Sequence, residues 1–504
     1  MLESLALGVR SVCTPVGLLI TLLGTVVGII FGAVPGLSAT TAIVLCLPLT
    51  YKMSSINGMA LLISLFIGGI SGGLVSAILT RIPGTPSSVA TTWDGYPMTQ
   101  KGQGVKALGI GICASFFGTL FSIIVLIFAA PSLARVAIQF GAYEYFAVAV
   151  FSITMMATLS EKSMSKGLIS GLMGCIFATV GMDPAGSQKR FTLGIRSMMS
   201  GFNILPVLVG LFAVCEIITY IEKARNAKGF EVIDVDLKGV KGMGFTWKEF
   251  WGQKWNLLRS AVIGCIIGIL PGIGASTSNV MAYTVAKKSS KHPEAFGTGI
   301  IDGIVASEAA NNASIGGAMV PLLALGIPGD SVTALLLGGL TLKGISAGPL
   351  LFTEHVDLVY SIFIAMILAS VFMLVIEFYG LRIFAKLLGL PKYYMLPAIF
   401  LFCVIGAYGV HNNIFDVWTV LVFGAVGFLF TKLDIPASPF ILGFIIGPLA
   451  EENLRRGLML SKGSFLPFLQ SPLALVFFGL ALISVVASTV SHRKRIKAQK
   501  QSNG

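Results

Sequence analysis

Residues 28–41 read GIIFGAVPGLSATT, and residues 264–278 read GCIIGILPGIGASTS. In both stretches, glycines spaced by four lead into a Pro-Gly pair, and small and hydroxyl-bearing residues follow it. Proline lacks a backbone donor and interrupts helical hydrogen bonding, and glycine accepts backbone angles that other residues resist. Each stretch therefore predicts a helix that is broken at its Pro-Gly pair.

The two stretches begin a longer internal duplication. IPGT at residues 82–85 matches IPGD at residues 327–330, and the Lys-Gly pair at 101–102 matches the pair at 343–344. These motifs occur in the same order in both parts of the chain, which is the signature of a repeated structural unit. The chain is therefore predicted to consist of two related halves with two Pro-Gly breaks in each.

The composition is that of a membrane protein. Hydrophobic residues make up 55% of the 504 residues and charged residues 11%, whereas soluble proteins carry about 25% charged residues. A soluble fold of this composition would expose large apolar patches, so a soluble enzyme, a nucleic-acid-binding module and a disordered chain are excluded. Basic cytoplasmic loops explain the net charge of +13. The seven cysteines include no Cys-x-x-Cys pair, so neither a zinc site nor a disulfide framework is expected.

The apolar runs predict an all-α polytopic fold with about 11 to 13 crossings, since a spanning helix needs about 20 apolar residues. The first half is assigned to residues 1–220 and the second to residues 259–490. Between them lies a charged loop, 221–258, and a basic tail follows at 491–504; the positive-inside rule places both in the cytoplasm. The tail could also bind anionic lipid. The motif-bearing segments are, in chain order, 28–41, 82–102, 264–279 and 302–344.

The four breaks predict an internal polar site. In hydrocarbon, a broken backbone is tolerated only where it faces protein or a water-filled cavity, and secondary transporters build their binding sites from such discontinuous helices. The start of a half-helix carries free N–H groups and a partial positive charge, which suit an anion. The candidate substrate-binding residues are Pro35, Gly36, Ser38, Thr40, Thr41, Arg81, Pro83, Gly84, Thr85, Ser87, Pro271, Gly272, Gly274, Ser276, Thr277, Ser278, Pro328 and Gly329.

Several alternatives stay open for these motifs. Glycines at four-residue spacing also describe close helix packing. Arg81 could bind a substrate carboxylate with two hydrogen bonds, or it could be a charge at the cytoplasmic edge. If segment 35–50 turns back within the membrane, the two halves are parallel; if it crosses, they are inverted, which is the arrangement we favour.

Ionisable residues inside apolar runs are candidates for ion coupling. Glu308, Asn311 and Asn312 lie on one face of a predicted helix, where their oxygens could coordinate Na⁺ or pass a proton; the alternative is a polar contact between helices. Asp330 could cap a half-helix or bind a cation. Glu377 lies near the end of an apolar run and is expected to reach water. Asp94 is assigned to a Gly/Pro-rich loop.

One short motif suggests an enzyme. The sequence Gly-Ile-Ser-Gly at 69–72 fits the brief pattern of intramembrane serine proteases, with Ser71 as nucleophile, but no partner motif for a histidine base is found. No Walker loop or H-E-x-x-H motif occurs either. The chain is therefore predicted not to be an enzyme and to need no cofactor beyond a coupling Na⁺ or H⁺.

Four long motifs resemble those of the large membrane subunit of the tripartite tricarboxylate transporters, the TctA family. They are GIIFGAVPGLSATTAIVLCLP at 28–48, IPGTPSSVATTWDGYPMTQKG at 82–102, GILPGIGAS at 268–276 and EAANNASIGGAMVPLLALGIPGD at 308–330. The resemblance implies a multi-pass protein of the bacterial inner membrane that imports carboxylates such as citrate, driven by an ion gradient and not by nucleotide hydrolysis. It also implies two partners, a periplasmic solute-binding protein and a small membrane subunit of about four spans.

The expected mechanism is alternating access. One form of it is an elevator-like movement of the motif-bearing regions against a scaffold. An uncoupled organic-anion channel could use the same helix ends, and it is the main alternative to a coupled transporter. Whether the subunit works as a monomer or as a homodimer is left open by the sequence.

Overall fold

Helices form almost all of the regular structure in the described residues. The computed structural model describes residues 2–158, 163–183, 186, 188–226, 244–272, 274–387 and 395–486. The helices before the charged loop are α1 (Leu2–Val12), α2 (Pro15–Ala33), α3 (Ala39–Thr50), α4 (Ser55–Thr80), α5 (Thr91–Gln100), α6 (Gly104–Ala137), α7 (Ala142–Thr158), α8 (Met164–Ala178), α9 (Ile204–Val209) and α10 (Cys215–Asn226). A two-stranded antiparallel ribbon pairs β1 (Gly181–Met182) with β2 (Lys189–Arg190).

Further helices follow from residue 247 onwards. They are α11 (Trp247–Gly252), α12 (Lys254–Ile269), α13 (Gly274–Ser289), α14 (Ile301–Leu325), α15 (Ser331–Leu342), α16 (Leu351–Glu354), α17 (Val356–Leu387), α18 (Met395–His411), α19 (Ile414–Lys432), α20 (Ala437–Leu460) and α21 (Pro472–Val486). Most of the predicted charged loop (227–243) and the whole predicted basic tail (491–504) lie outside the described residues.

The helix lengths confirm an all-α polytopic membrane protein. Within the described ranges, six helical segments are long and apolar enough to cross a bilayer: Pro15–Ala33, Ser55–Thr80, Gly104–Ala137, Ile204–Glu222, Val356–Gly380 and Ile414–Lys432. Shorter apolar helices accompany them, among them α3, α8 and α15. The total of about 11 to 13 crossings remains a prediction.

The chain is broken at each of the four Pro-Gly pairs. Helix α2 ends before Pro35 and α3 starts after it, while α12 ends before Pro271 and α13 starts after it. Gly36 and Gly272 both have φ of 85°, in the left-handed region that favours glycine. Helices α4 and α14 likewise end just before the two Ile-Pro-Gly motifs. The corresponding breaks therefore share their local backbone geometry.

The helices that follow the breaks are short. Helices α3 and α15 have 12 residues each. Such a helix rises only about 18 Å, whereas the hydrocarbon core is about 30 Å thick. Neither helix can therefore cross the bilayer alone. The inverted relation of the two halves stays a prediction.

Close glycine contacts join equivalent helices in both halves. A Cβ atom added at Gly32 on α2 would overlap the carbonyl oxygen of Gly69 on α4. A Cβ atom added at Gly268 on α12 would overlap the carbonyl oxygen of Ser314 on α14 in the same way. The spaced glycines thus allow two helix backbones to approach closely, and the packing interpretation of these residues holds in each half.

The two predicted halves also exchange helices. Helix α6, which belongs to the first half by sequence, packs against α12 and α14 of the second. Helix α17, from the second half, packs against α2 and α4 of the first. Each broken-helix region therefore packs against a long helix from the other predicted half of the chain.

The charged loop is fastened to the membrane helices at its end. Lys106 at the start of α6 forms an ion pair of 2.5 Å with Glu249 on α11, and the backbone N–H and hydroxyl of Thr246 donate to the same carboxylate. The Lys106 hydrogen bond, followed by those from Thr246, lowers the pKa of Glu249 from 4.5 to about 2. The contact therefore stabilises the fold above a pH of about 4.5, and this contribution is lost as the pH falls towards 2.

Asp94 is a buried residue of helix α5 and does not lie in a loop, so the loop assignment was wrong. It sits on α5 with no exposed surface. One carboxylate oxygen accepts hydrogen bonds from the backbone N–H groups of Gly297, Gly299 and Ile300 at 2.9, 2.8 and 3.1 Å, and the other accepts from the hydroxyl of Tyr283 at 2.8 Å. Four donors satisfy the buried charge and fix the segment between α13 and α14 on α5.

Replacing Asp94 with asparagine should lower the stability of the protein by roughly 1–3 kcal/mol. The substitution keeps the side-chain volume but removes the charge, and its amide N–H₂ group cannot accept the Tyr283 hydrogen bond. Thermal unfolding in detergent measures the change. The control is Glu294→Gln, since the side chain of Glu294 is 73% exposed. Equal unfolding midpoints for the two variants would show that the hydrogen bonds of Asp94 do not stabilise the fold.

Candidate functional site

A buried carboxylate lies at the junction of three helices. Glu308, near the middle of α14, has no exposed surface. Its Oε1 accepts a hydrogen bond of 2.5 Å from the hydroxyl of Thr91 on α5, and its Oε2 accepts one of 3.1 Å from the hydroxyl of Ser115 on α6. No ion pair to Glu308 is found among the described residues, so neutral donors surround this carboxylate.

The two asparagines predicted beside Glu308 are buried with it. The amide nitrogen of Asn312 donates to Ser115 Oγ at 2.8 Å and to the Glu308 backbone oxygen at 3.1 Å, with Glu308 Oε2 at 3.4 Å. The Asn312 Oδ1 atom and both amide atoms of Asn311 have no partner with hydrogen-bond geometry. These three buried polar atoms therefore have hydrogen-bonding capacity that no described side chain or backbone group uses.

Asn279 on α13 connects this group to a broken helix. Its Oδ1 accepts from the backbone N–H of Ala90 at 2.8 Å, and its Nδ2 donates to the backbone oxygen of Ser307 at 3.3 Å, with Thr91 Oγ1 at 3.5 Å. The hydroxyls of Thr91 and Ser307 lie 3.0 Å apart. We refer to these residues together as the Glu308 cluster: Thr91, Ser115, Asn279, Ser307, Glu308, Asn311 and Asn312.

The cluster suits a proton or a small hard cation. It offers one carboxylate, three amides and several hydroxyl groups, and hard cations take oxygen ligands. Among the described residues, no group of three or more His, Cys, Asp or Glu side chains could hold a metal ion. With its one carboxylate, the cluster can compensate a single positive charge.

The first broken helix begins with a partly exposed turn. Gly36 is exposed, and Pro35, Ser38 and Thr40 are half-buried. Ser38 is the N-cap of α3, and its Oγ accepts from the backbone N–H of Thr41 at 3.3 Å. The hydroxyl-rich segment that follows the first Pro-Gly pair therefore forms the start of helix α3.

In the second half, the two breaks touch each other. The backbone N–H of Gly272 donates to the carbonyl of Gly329 at 2.7 Å. Gly274 has φ of 65° and starts α13. Ser276 and Thr277 on its first turn are half-buried, but the hydroxyl of Ser278 donates to the backbone oxygens of Ala275 and Ala310. Pro271, Pro328 and Gly329 are buried.

The second break of the first half is also tightly packed. The hydroxyls of Thr85 and Ser87 lie 2.9 Å apart, and both residues are buried. A Cβ atom added at Gly84 would overlap the carbonyl oxygen of Gly32, whereas Pro83 is half-buried. These hydroxyls bond to each other, which leaves them less available to a ligand than the sequence suggests.

Two charged candidates lie apart from the Glu308 cluster. Arg81 is exposed at the end of α4, and its guanidinium carbon lies 6.0 Å from the centre of the Tyr96 ring. Asp330 is the N-cap of α15, where its Oδ1 accepts from the backbone N–H and the hydroxyl of Thr333, both at 2.7 Å. Asp330 therefore caps helix α15, which is one of the two roles that the sequence suggested for it.

Ser71 does not have the surroundings of a protease nucleophile. Its hydroxyl donates to Glu377 Oε2 at 2.8 Å, and no histidine contacts it among the described residues. The neighbouring glycines serve packing, because Cβ atoms added at Gly68 and Gly72 would overlap backbone oxygens of α2. The expectation that Glu377 reaches water was wrong, since Glu377 has no exposed surface.

Sequence reasoning missed Thr91, Ser115, Asn279 and Ser307. Ser307 stands next to Glu308 and Asn279 follows a predicted hydroxyl segment directly, so both could have been found by extending the motifs. Thr91 and Ser115 come from other helices, and no spacing rule connects them to α14.

Comparison with known proteins identifies a family. A model described as the tripartite tricarboxylate transporter TctA family matches residues 18–442, a range that contains all four Pro-Gly breaks. An uncharacterised 52.8 kDa protein in the TAR-I ttuC' 3'region of Agrobacterium vitis is 34% identical over 499 residues, which cover 99% of this chain and 98% of that protein. An uncharacterised protein in the TAR-II ttuC' 3'region of the same organism is 36% identical over 223 residues, 44% of this chain and 92% of that protein. No solved structure matches the chain.

Proposed function

The chain belongs to the tripartite tricarboxylate transporter TctA family, and on that premise we propose that it is the translocation subunit of a secondary transporter that imports carboxylates. The substrate class is di- or tricarboxylates such as citrate, and a gradient of Na⁺ or H⁺ drives the uptake. Family membership supports transport and argues against an enzyme, and the surroundings of Ser71 agree with this.

The observation that carries the proposal is the link between the Glu308 cluster and a broken helix. Asn279 on α13 contacts both Ala90, next to the second break of the first half, and Ser307, beside Glu308. A coupling ion bound at Glu308 would neutralise the buried charge and hold α5, α13 and α14 in one arrangement. Loss of the ion would leave that charge uncompensated and favour a different arrangement.

The substrate is proposed to bind at the starts of α3 and α13. These two helix ends follow equivalent glycine turns, and their first residues are partly exposed. Free backbone N–H groups and the helix dipole attract carboxylate groups there. Ser38, Thr40, Ser276 and Thr277 are the hydroxyl residues closest to these two ends.

Transport then proceeds by alternating access, in an elevator-like movement of the broken-helix regions. Because α6 packs on α12 and α14, and α17 packs on α2 and α4, each moving region would carry a long helix from the other half. The partners are a periplasmic solute-binding protein and a small membrane subunit. The protein resides in the bacterial inner membrane with its C-terminus in the cytoplasm.

Uptake of labelled citrate into vesicles that contain all three components should depend on an imposed ion gradient. A sodium gradient and a proton gradient are applied separately, each with the membrane potential clamped. Accumulation above the external concentration with either gradient supports a coupled transporter. Downhill flux that neither gradient changes would instead establish the organic-anion channel and contradict the proposal.

A further inference from the structure

A second buried carboxylate lies away from the Glu308 cluster. Glu377 on α17 and Ser71 on α4 have no exposed surface. The Ser71 hydroxyl donates to Glu377 Oε2 at 2.8 Å, and the sulfur of Met373 lies 3.3 Å from the same hydroxyl. The other carboxylate oxygen, Oε1, is buried and has no hydrogen-bond partner.

Among the described side chains, no cation forms an ion pair with Glu377. Helices α1, α2, α4, α6 and α16 pack against α17; α2 and α4 carry no ionisable side chain. The titratable groups on the other packed helices are Glu3 and Arg10 on α1, Lys106, Cys113 and Arg135 on α6, and Glu354 on α16. On α17 itself, the described titratable side chains besides Glu377 are Asp357, Tyr360 and Tyr379. An ionised carboxylate is costly in a buried site where one of its oxygens accepts no hydrogen bond.

The two carboxylates differ in how well they are solvated by the protein. Glu308 accepts hydrogen bonds from Thr91, Ser115 and Asn312, which favour its ionised form. Glu377 accepts a single hydrogen bond, and its second oxygen is bare. An added proton removes the charge from this poorly solvated carboxylate.

We propose that Glu377 is a proton-binding site separate from the Glu308 cluster. A proton from water adds to Oε1 and gives a neutral carboxylic acid, while Oε2 keeps the hydrogen bond from Ser71. Since the Ser71–Glu377 contact joins α4 of the first half to α17 of the second, ionisation of Glu377 changes the energy of the contact between the halves. Its part in transport rests on the proposed function, whereas the protonation itself does not.

Infrared difference spectroscopy of the full chain in lipid, with stepped pH, tests the proton site directly. The wild type should show the carbonyl band of a buried protonated carboxylic acid, and Glu377→Gln should remove that band. Glu354→Gln, a substitution at an exposed glutamate, should retain it. A wild type without the band, or a Glu377→Gln variant that keeps it, would overturn the proposal.

A second variant covers the case in which Glu377→Gln does not fold. Ser71→Ala leaves the carboxyl group in place but removes its hydrogen-bond donor, so the carbonyl band should shift in frequency. An unchanged band would show that the titrating group is not the one beside Ser71. Citrate uptake is measured separately: absence of gradient-driven uptake in the wild type rejects the transporter proposal and leaves the infrared assignment intact.

Discussion

Gradient-driven uptake of labelled citrate should fall by roughly 100-fold when Glu308 is replaced by glutamine, which corresponds to the loss of a hydrogen-bonded buried charge. The substitution keeps the shape of the side chain and removes the negative charge that would compensate a bound Na⁺ or accept a proton. One of the hydroxyls of Thr91 and Ser115 would also face an amide N–H₂ group in place of a carboxylate oxygen.

The control for this prediction is Glu354→Gln, which makes the same chemical change at an exposed position on α16. Both variants are reconstituted with the two partner components, and their content in the membrane is measured before uptake. Uptake by Glu308→Gln at the level of Glu354→Gln would remove Glu308 from the coupling site.

The double substitution Asn311→Leu and Asn312→Leu tests the same cluster without removing its charge. It deletes three buried polar atoms that have no partner, together with the amide that binds Ser115. Uptake should be abolished because the ligand loses its amide oxygens, while membrane insertion is retained because leucine suits a buried helix. Normal uptake would show that these amides only pack between helices.

The sequence predicts those features that depend on local chemistry. The four Pro-Gly breaks follow from the covalent properties of two residues, and the polar face of α14 follows from residue spacing. The burial of Glu377 was not predicted because the apolar run ends soon after it, whereas α17 continues as a helix to Leu387 and α4 packs beside it. Gly95 and Pro97 suggested a loop around Asp94, but the helix α5 accommodates both residues.

The composition of the Glu308 cluster shows the limit of reasoning from spacing. Spacing along α14 places Glu308, Asn311 and Asn312 together, but Thr91 and Ser115 reach them from α5 and α6 only through tertiary packing. Helices α6 and α17 each pack on helices of the other half. This packing likewise depends on tertiary contacts that residue spacing does not reveal. Hydrophobic periodicity reports that a face is buried and does not report its partner.

Replacing Gly32 with leucine should prevent the native packing of α2 on α4. Any Cβ atom at this position would overlap the backbone carbonyl of Gly69, which cannot move as a side chain can. Overpacking typically costs 1–3 kcal/mol where side chains can adjust, so we expect a loss of about 3 kcal/mol or more here. Gly268→Leu should have a similar effect, because Gly268 faces the Ser314 carbonyl in the equivalent crossing.

The matched control is Gly479, a glycine of α21 that would have no atom within 4 Å of an added Cβ. Gly479→Leu removes a flexible residue from a helix and should leave stability unchanged or raise it by up to about 1 kcal/mol. Folded yield and the thermal unfolding midpoint in detergent distinguish the variants. If Gly32→Leu and Gly479→Leu unfold at the same temperature, the close approach of α2 and α4 does not hold the broken helices in place, and the substrate site proposed at their ends loses its support.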